Sequence, residues 1–433
     1  MFKLKENNTS VKTEVLAGFI TFLTMAYIVV VNPIVLADAG VPIDQVFIAT
    51  IISAVIGTLW LALFANYPIA IAPGMGLNAY FTYAVVLGSN GEINYITAFG
   101  AVFVAGIIFV VLSLTPFREK LIAIIPENLK LAITAGIGLF IAFIGLRMSG
   151  LVEADKTNLV KLGDLHSESV ILTVIGLAIT LILMARNVNG ALFIGMFFTG
   201  IIAYFTGSLE ITKVASLPSL PEGILVWNPL EAIGDIISYG LYGVVFSFVL
   251  VTLFDTTGTM IGVAKQAGLM KDNKLPRARA ALLADSVATT AGAMVGTSPT
   301  TAFVESSSGV AAGGRTGLTS LTVGILFIIA SFFGPLVTSL SNVAAITSPA
   351  LIIVGSLMIG AVKGIKWDKL EESFPAFLVI LAMPLTSSIS TGIAVGFITY
   401  PLIMLAKGRG REVHPLLYIF AVLFFIQLVF LPH

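Results

Sequence analysis

The sequence has no cysteine and only three histidines among its 433 residues. Without cysteine, the chain can form neither disulfide bonds nor thiolate metal sites. The histidines, His166, His414 and His433, fall in predicted loops or in the C-terminal tail and do not indicate a histidine-ligated metal centre. We therefore predict no metal site and no bound cofactor.

Charged residues are also scarce, at 11% of the chain, whereas a soluble protein averages about 25%. Hydrophobic residues make up 57%, and the mean hydropathy is +1.03. This composition predicts an all-α protein that crosses a lipid bilayer many times. The net charge of zero gives no indication of nucleic-acid binding, and the polar N-terminus lacks the apolar region of a cleaved signal peptide.

Apolar runs near the spanning length of about 20 residues recur along the chain. They predict seven segments on each side of a polar connection at 208–233. The predicted segments are 15–37, 45–65, 68–88, 94–114, 129–147, 169–186, 190–207, 240–264, 279–295, 297–313, 316–338, 345–362, 374–387 and 389–406. One further apolar run, 416–431, either spans the bilayer or lies on its surface.

The lysines and arginines predict the orientation of these segments. If the N-terminus is cytoplasmic, the loops after even-numbered segments are cytoplasmic too, and these loops carry the positive charge. Examples are Arg118, Lys120 and Lys130 after the fourth segment, Lys265, Lys271, Lys274, Arg277 and Arg279 after the eighth, and Lys407, Arg409 and Arg411 after the fourteenth. We therefore predict a multi-pass protein of the cytoplasmic membrane with its N-terminus inside.

The tenth segment, within GTSPTTAFVESSSGVAAGG at 296–314, is unlike an ordinary spanning helix because it contains helix breakers and one acid, Glu305. A polar loop outside the membrane is the alternative. The third segment is interrupted in the same way by APGMGLNA at 72–79, and aligning Pro68 with Pro299 places Gly74 opposite Glu305. Because each half has an odd number of segments, the two repeats are inverted. Paired broken segments indicate a transporter's binding site, although glycine-rich packing helices would also fit.

Three acids, Asp255, Asp285 and Glu305, fall inside predicted segments, where ionisable groups are costly. Asp255 and Glu305 each lie ten residues before a basic residue, which places them about 15 Å into the bilayer, near its middle. Asp285 is predicted to be shallower. Burial without a basic partner favours a protonated carboxyl, so these acids are candidate proton carriers. They could instead tie helices together as structural carboxyls.

Four stretches resemble the nucleobase:cation symporters, specifically the AzgA-like branch of hypoxanthine, guanine and adenine permeases within the nucleobase/ascorbate transporter-like group. The resemblance extends over nearly the full length. The stretches are GFITFLTMAYIVVVNP at 18–33, APGMGLNAYF at 72–81, LFDTTGT at 253–259 and GTSPTTAFVESSSGV at 296–310.

The resemblance implies a fold of fourteen segments in two inverted repeats, with short strands in segments three and ten. It also implies a core domain at 15–114 and 234–338 and a gate domain at 115–207 and 339–406. The remaining parts are a cytoplasmic N-terminus at 1–14, the connection at 208–233 and a tail at 407–433.

The resemblance implies that Asp255 and Glu305 hold the base and that Asp285 supports transport. Many relatives carry Glu on the eighth segment, so the shorter Asp255 is a departure. Thr259 lies one helical turn after Asp255 on the same face. The other residues predicted to surround the base are Ser306, Phe303, Asn78 and Ala79. This set suits a purine, because carboxylates accept from its N–H groups while half-helix N-termini donate to its carbonyl and ring nitrogens.

We therefore predict a secondary transporter that imports guanine, hypoxanthine or adenine with protons by alternating access. The alternatives are sodium coupling, or a carrier of an anion or another small solute on the same fold. A channel is disfavoured because the sequence shows no residues that would form a selectivity ring. An enzyme is disfavoured because Ser306–Ser308 has no histidine to activate a nucleophile. Monomer and homodimer remain open as assemblies.

Overall fold

The structure is a computed structural model that describes residues 2–89, 91–115, 124–218, 221, 223–270 and 275–430. Four basic residues used to predict the orientation lie outside the described residues: Arg118, Lys120, Lys271 and Lys274.

Helices dominate the described chain. In order they are α1 (Val11–Met25), α2 (Ile28–Ala37), α3 (Ile43–Trp60), α4 (Met75–Ala79), α5 (Tyr95–Leu114), α6 (Glu127–Met148), α7 (Glu168–Ala185), α8 (Ala191–Phe205), α9 (Pro229–Ser238), α10 (Tyr242–Gln266), α11 (Ala278–Val295), α12 (Ser306–Ala311), α13 (Gly317–Ala330), α14 (Gly334–Ser341), α15 (Ala344–Met358), α16 (Leu370–Thr386), α17 (Ile389–Ala406) and α18 (Pro415–Phe430). The strands are β1 (Ile71–Pro73), β2 (Val152–Asp155), β3 (Leu159–Leu162) and β4 (Thr300–Ala302). Short π or 3-10 turns are Leu61–Ala65, Tyr80–Val86, Leu87–Ser89, Ser331–Phe333, Ile359–Gly364 and Gly410–Glu412.

Within the described residues, nine helices are long and apolar enough to cross a membrane. They include α10 and α17, which belong to the second half of the chain, as well as α3 and α5 in the first half. The predicted multi-pass helical membrane protein is therefore confirmed, whereas the count of fourteen segments stays a prediction.

The two interrupted segments meet through their strands, as the resemblance implied for segments three and ten. β1 and β4 pair antiparallel, with Ala72 opposite Thr301. Just beyond the ladder, the Phe303 N–H donates to the Ala70 carbonyl at 2.9 Å. Two distant parts of the chain thus satisfy each other's backbone inside a helical protein, as membrane interiors require.

The outer edges of this strand pair are closed by two threonines placed alike in the two halves. On one edge, the Thr58 hydroxyl of α3 accepts from the Ile71 N–H and donates to the Ile71 carbonyl, both at 3.0 Å. On the other edge, the Thr289 hydroxyl of α11 accepts from the Thr300 N–H at 3.0 Å. Side chains therefore replace the neighbouring strands that an isolated two-stranded ladder lacks.

Helix packing is most extensive within two sets of elements. One set contains α1, α3, α5, α11 and α13 together with strands β1 and β4. The other set contains α6, α7, α15, α16, α17 and α18. In the second set, α6 crosses α15 so closely that a Cβ added to Gly355 would lie 2.3 Å from the Gly138 carbonyl oxygen. Only glycine permits this approach, and small residues at such crossings are typical of membrane helices.

The structure differs from the sequence predictions in several connections. The loop after the fifth segment contains the antiparallel hairpin β2–β3. The predicted connection 208–233 already includes the start of α9, where the Asn228 side chain caps the helix by accepting from the Leu230 N–H. The tail run forms α18, which packs on α17.

The stretch 1–14 predicted as the cytoplasmic N-terminus contains the start of the first helix. This helix begins at Val11, where Ser10 caps it by accepting from the Thr13 N–H at 3.2 Å. Glu14 consequently lies inside the helix and is fully buried. The expectation that only three acids are buried among the helices was therefore incomplete.

Candidate functional site

Glu305 stands where segment ten changes from strand to helix. It is the N-cap of the half-helix α12 and follows β4 by only a few residues. Gly74 occupies the equivalent position before α4 in segment three, as the predicted alignment placed it. Both half-helices therefore begin beside the strand pair, although the first N–H groups of α12, those of Ser306, Ser307 and Ser308, already donate to the carbonyls of Phe303, Val304 and Glu305.

The Glu305 carboxylate is held by a tyrosine from segment one. The Tyr27 hydroxyl donates to Glu305 Oε1 at 2.7 Å. Tyr27 lies in the two-residue break between α1 and α2 and is 1% exposed. Glu305 is half-buried, so one of its faces remains accessible.

Asp255 reaches the same place from α10. Its carboxylate accepts a hydrogen bond from the side chain of Thr301 in β4. It also lies close enough to interact electrostatically with both Tyr27 and Glu305. The structure thus brings together the two carboxylates that the sequence predicted as substrate ligands.

Ser306 and Phe303 belong to the framework of this site. The Ser306 hydroxyl accepts from the Ala70 N–H at 3.0 Å, and the Phe303 N–H donates to the Ala70 carbonyl. Both side chains are buried. They therefore fix the middle of segment ten to Ala70, which precedes β1, directly beside Glu305.

Asn78 and Ala79 are buried in α4, in a separate polar network. The Asn78 amide donates to Asn32 Oδ1 at 2.9 Å, and the Asn32 amide donates to Thr50 at 2.7 Å and Thr297 at 2.9 Å. Asn78 Oδ1 has no hydrogen-bond partner among the described residues. The network links segments one, two, three and ten behind the strands.

Asp285 is placed behind β4 and apart from the two central carboxylates. It is fully buried in α11, its carboxylate accepts from the Ser286 N–H at 2.9 Å, and its backbone carbonyl accepts from the Thr300 hydroxyl at 3.0 Å. Asp285 is therefore connected to the site through Thr300 of β4. Thr259 is half-buried on α10, one turn after Asp255.

A cavity of about 820 Å³ is lined by Tyr80, which directly follows Ala79, but not by Asp255 or Glu305. Its other walls include Tyr83, Tyr239, Ser387 and Gln427. The predicted topology places these loops and helix ends on the outer side of the membrane. A volume of this size suits a small organic ligand.

Sequence reasoning missed two polar residues of the central region, Tyr27 and Asn32. Both lie within the stretch 18–33 that resembled the symporters, yet no role was predicted for either. An isolated tyrosine and asparagine in an otherwise apolar run was the available signal. Within the described residues, no group of three or more histidine, cysteine or acidic side chains is arranged to hold a metal ion.

The chain was compared with known families and proteins. The Xan_ur_permease model, described as a permease family, matches residues 12–395. The guanine/hypoxanthine permease PbuO of Bacillus subtilis (strain 168) is 67% identical over 432 residues, which cover 100% of both chains. The adenine permease AdeP of Escherichia coli (strain K12) is 42% identical and is aligned over 100% of this chain and 96% of its own.

Solved structures share the fold at much lower identity. The transmembrane domain of a cyanobacterium bicarbonate transporter, BicA, has a TM-score of 0.66 and 14% identity, covering 89% of this chain and 97% of that one. At this identity the similarity concerns the architecture alone.

Proposed function

We propose, because this chain belongs to the permease family whose model it matches, that it carries purine nucleobases across the cell membrane together with protons. Membership of the family confirms the resemblance predicted from the motifs. It also confirms that the protein is a transporter and not an enzyme. The relatives named for guanine, hypoxanthine and adenine support a purine as the substrate.

One observation carries the proposal: two carboxylates from different segments meet beside paired strands and two half-helix N-termini. Glu305 and Asp255 offer acceptors for the N–H groups of a base. The N-terminal N–H groups of α4 offer donors for its carbonyl and ring nitrogens. A flat, neutral molecule with alternating donors and acceptors matches this arrangement.

Two sets of packed helices support movement by alternating access. We assign the set around the strands to the core domain and the set around α6 and α15 to the gate domain, following the inverted seven-segment repeats predicted from the sequence. The base would enter through the cavity beside Tyr80 when the site faces outward. Rocking of the core against the gate would then expose the site to the cytoplasm.

Proton coupling follows from the closeness of the two acids. Two half-buried carboxylates that interact electrostatically disfavour being charged together, so the pair is suited to hold one proton with the base. Asp285, which contacts the strand from behind, would transmit or support this change. Sodium is the alternative coupling ion.

Uptake of labelled guanine, hypoxanthine and adenine into liposomes containing the purified protein tests the proposal. We expect uptake of at least one base driven by an inward proton gradient, abolished by a protonophore and independent of sodium. Uptake that requires sodium and ignores the proton gradient would contradict the coupling. Absence of both binding and uptake for all three bases, in a protein that remains folded, would contradict the substrate class.

The site residues are tested by calorimetric affinities of matched variants. Glu305→Gln replaces one acceptor oxygen with a donor amide, which should cost roughly 1.5–3 kcal/mol, or about tenfold to more than a hundredfold in affinity. Glu153→Gln, on the exposed side of the β2–β3 hairpin, is the control and should bind as the native protein does. Asp285→Asn should reduce transport more than equilibrium affinity.

A further inference from the structure

Tyr27 is the buried titratable side chain nearest the proposed site to which the proposed mechanism gives no task. Its hydroxyl is enclosed by protein and donates to Glu305 Oε1 at 2.7 Å. A second residue of segment one also lies near Glu305, because the Thr24 hydroxyl is 3.4 Å from the Glu305 carbonyl oxygen. Residues separated by 278 positions in the sequence are therefore joined at one carboxylate.

We propose that Tyr27 is a positioning residue that occupies one oxygen of Glu305 and so presents the other oxygen, Oε2, to an N–H group of the purine. This inference rests on the proposed function, since it assigns a task within the same site. It adds that segment one, which supplies neither of the proposed carboxylate ligands, determines how the base is held.

The geometry gives the physical reason. A free glutamate side chain on a half-helix can rotate about several bonds and offer either oxygen, which costs entropy when a ligand fixes it. A phenol hydroxyl has one proton to donate, so at 2.7 Å it occupies Oε1, while the backbone N–H of Glu305 also bonds to the same carboxylate. Together these two hydrogen bonds restrict the rotation of the side chain. The remaining oxygen is then pre-organised as a single, directed acceptor.

The location of Tyr27 favours a positioning role over packing alone. It stands between α1 and α2, where the backbone keeps right-handed helical dihedrals, and its hydroxyl reaches segment ten with a defined hydrogen-bond direction. Asp255 lies close enough to influence the same hydroxyl electrostatically. Tyr27 therefore contacts one of the two carboxylates and lies within electrostatic range of the other.

A double-mutant cycle with a matched control tests the proposal. Tyr27→Phe removes the hydroxyl and keeps the ring. Tyr418→Phe makes the same change at a tyrosine of α18 whose hydroxyl donates to the Gly410 carbonyl at 2.8 Å, outside both the proposed site and the entry cavity. Affinities for guanine and hypoxanthine are measured by calorimetry on native protein, both single variants, Glu305→Gln and the Tyr27→Phe/Glu305→Gln double variant.

We expect Tyr27→Phe to weaken binding about 5- to 30-fold, the size of one ordinary hydrogen bond. In the Glu305→Gln background, Tyr27→Phe should reduce the affinity by an additional factor of less than about two, because the directed acceptor is already lost there. Tyr418→Phe should stay within about twofold of native affinity. A role in packing alone would give the same loss in both backgrounds.

The proposal is overturned if Tyr27→Phe binds like the native protein, or if its effect multiplies fully with that of Glu305→Gln. Failure of the native protein to bind any purine would instead overturn the proposed function. If Tyr27→Phe does not purify as a folded protein, Glu305→Asp serves in its place. The aspartate side chain is one methylene shorter, so its carboxylate no longer reaches Tyr27. Native-like affinity of Glu305→Asp would therefore also overturn the proposal.

Discussion

The buried carboxylate of Glu14 allows a sharp prediction about how the fold is stabilised. Its two oxygens accept from the N–H groups of Arg315 at 2.9 Å, Thr316 at 3.2 Å and Thr319 at 3.3 Å, and from the Thr319 hydroxyl at 2.6 Å. These donors surround the first turn of α13. A residue of the first helix thus caps a helix more than 300 positions later, satisfying N–H groups that have no partner within the helix.

Replacing Glu14 by alanine removes the acceptor from four buried donors and a negative charge from the positive end of the α13 dipole. A hydrogen bond to a charged group contributes about 1.5–3 kcal/mol, but the four share one carboxylate and are not additive. We therefore expect Glu14→Ala to destabilise the fold by about 3–5 kcal/mol. Glu14→Gln retains one oxygen, and about 1.5–3 kcal/mol should be lost.

Thermal unfolding of the purified protein, followed by tryptophan fluorescence, measures the effect as an apparent midpoint. For a chain of this size we expect a decrease of about 3–10 °C in Glu14→Ala. Glu6→Ala, which removes an exposed acid paired only with Lys3, should change the midpoint little. Equal midpoints for Glu14→Ala and Glu6→Ala would refute the capping argument.

Three further predictions follow from other contacts. Gly309→Ala should impair folding and transport, because its Cβ would lie 2.0 Å from Thr21 Oγ1 and 2.6 Å from the Ala17 carbonyl oxygen. The control Gly234→Ala should be tolerated, because a Cβ there would meet nothing within 4 Å. Equal expression and equal uptake of the two variants would refute this prediction. Hydrogen bonds from Lys407 and the nearby Arg409 charge hold the pKa of Glu371 at about 2 instead of 4.5. Because this pKa is depressed by folding, the stability difference between native protein and Glu371→Gln should be full above about pH 4.5 and disappear toward pH 2, as melting midpoints across this range would show. Single cysteines at Asn158 and Arg411, both exposed, should react with an impermeant maleimide from opposite faces of the membrane, and labelling from the same face would contradict the predicted topology.

The sequence revealed most about features that interrupt a pattern. Pro299 and Glu305 stood out in an apolar chain, so the interrupted segments and their acid could be located, and the resemblance supplied the strands that the structure shows. Asp255 could be placed near the same depth by counting residues to Lys265. Each of these inferences uses local spacing or a recognised motif.

Contacts between distant elements could not be predicted in the same way. Nothing near Tyr27 in the sequence indicates that its hydroxyl meets Glu305, because the contact depends on how segments one and ten cross. Glu14 follows Lys12 and Thr13 and therefore resembled part of a polar terminus, although its partners begin at Arg315. Tertiary geometry decides both cases, and composition and periodicity carry no information about it.

The strand pair also has a consequence for how the protein is made. The Ala70 N–H bonds to a hydroxyl that lies 236 residues further along the chain. At about 5–20 residues per second, ribosomes need roughly 10–50 s to synthesise that interval. During this time β1 has been delivered to the membrane while β4 does not yet exist, and unpaired backbone in hydrocarbon is costly. The first half must therefore be sheltered by the insertion machinery or by water until the second half arrives, which makes nascent chains that end before Thr300 the most vulnerable stage of assembly.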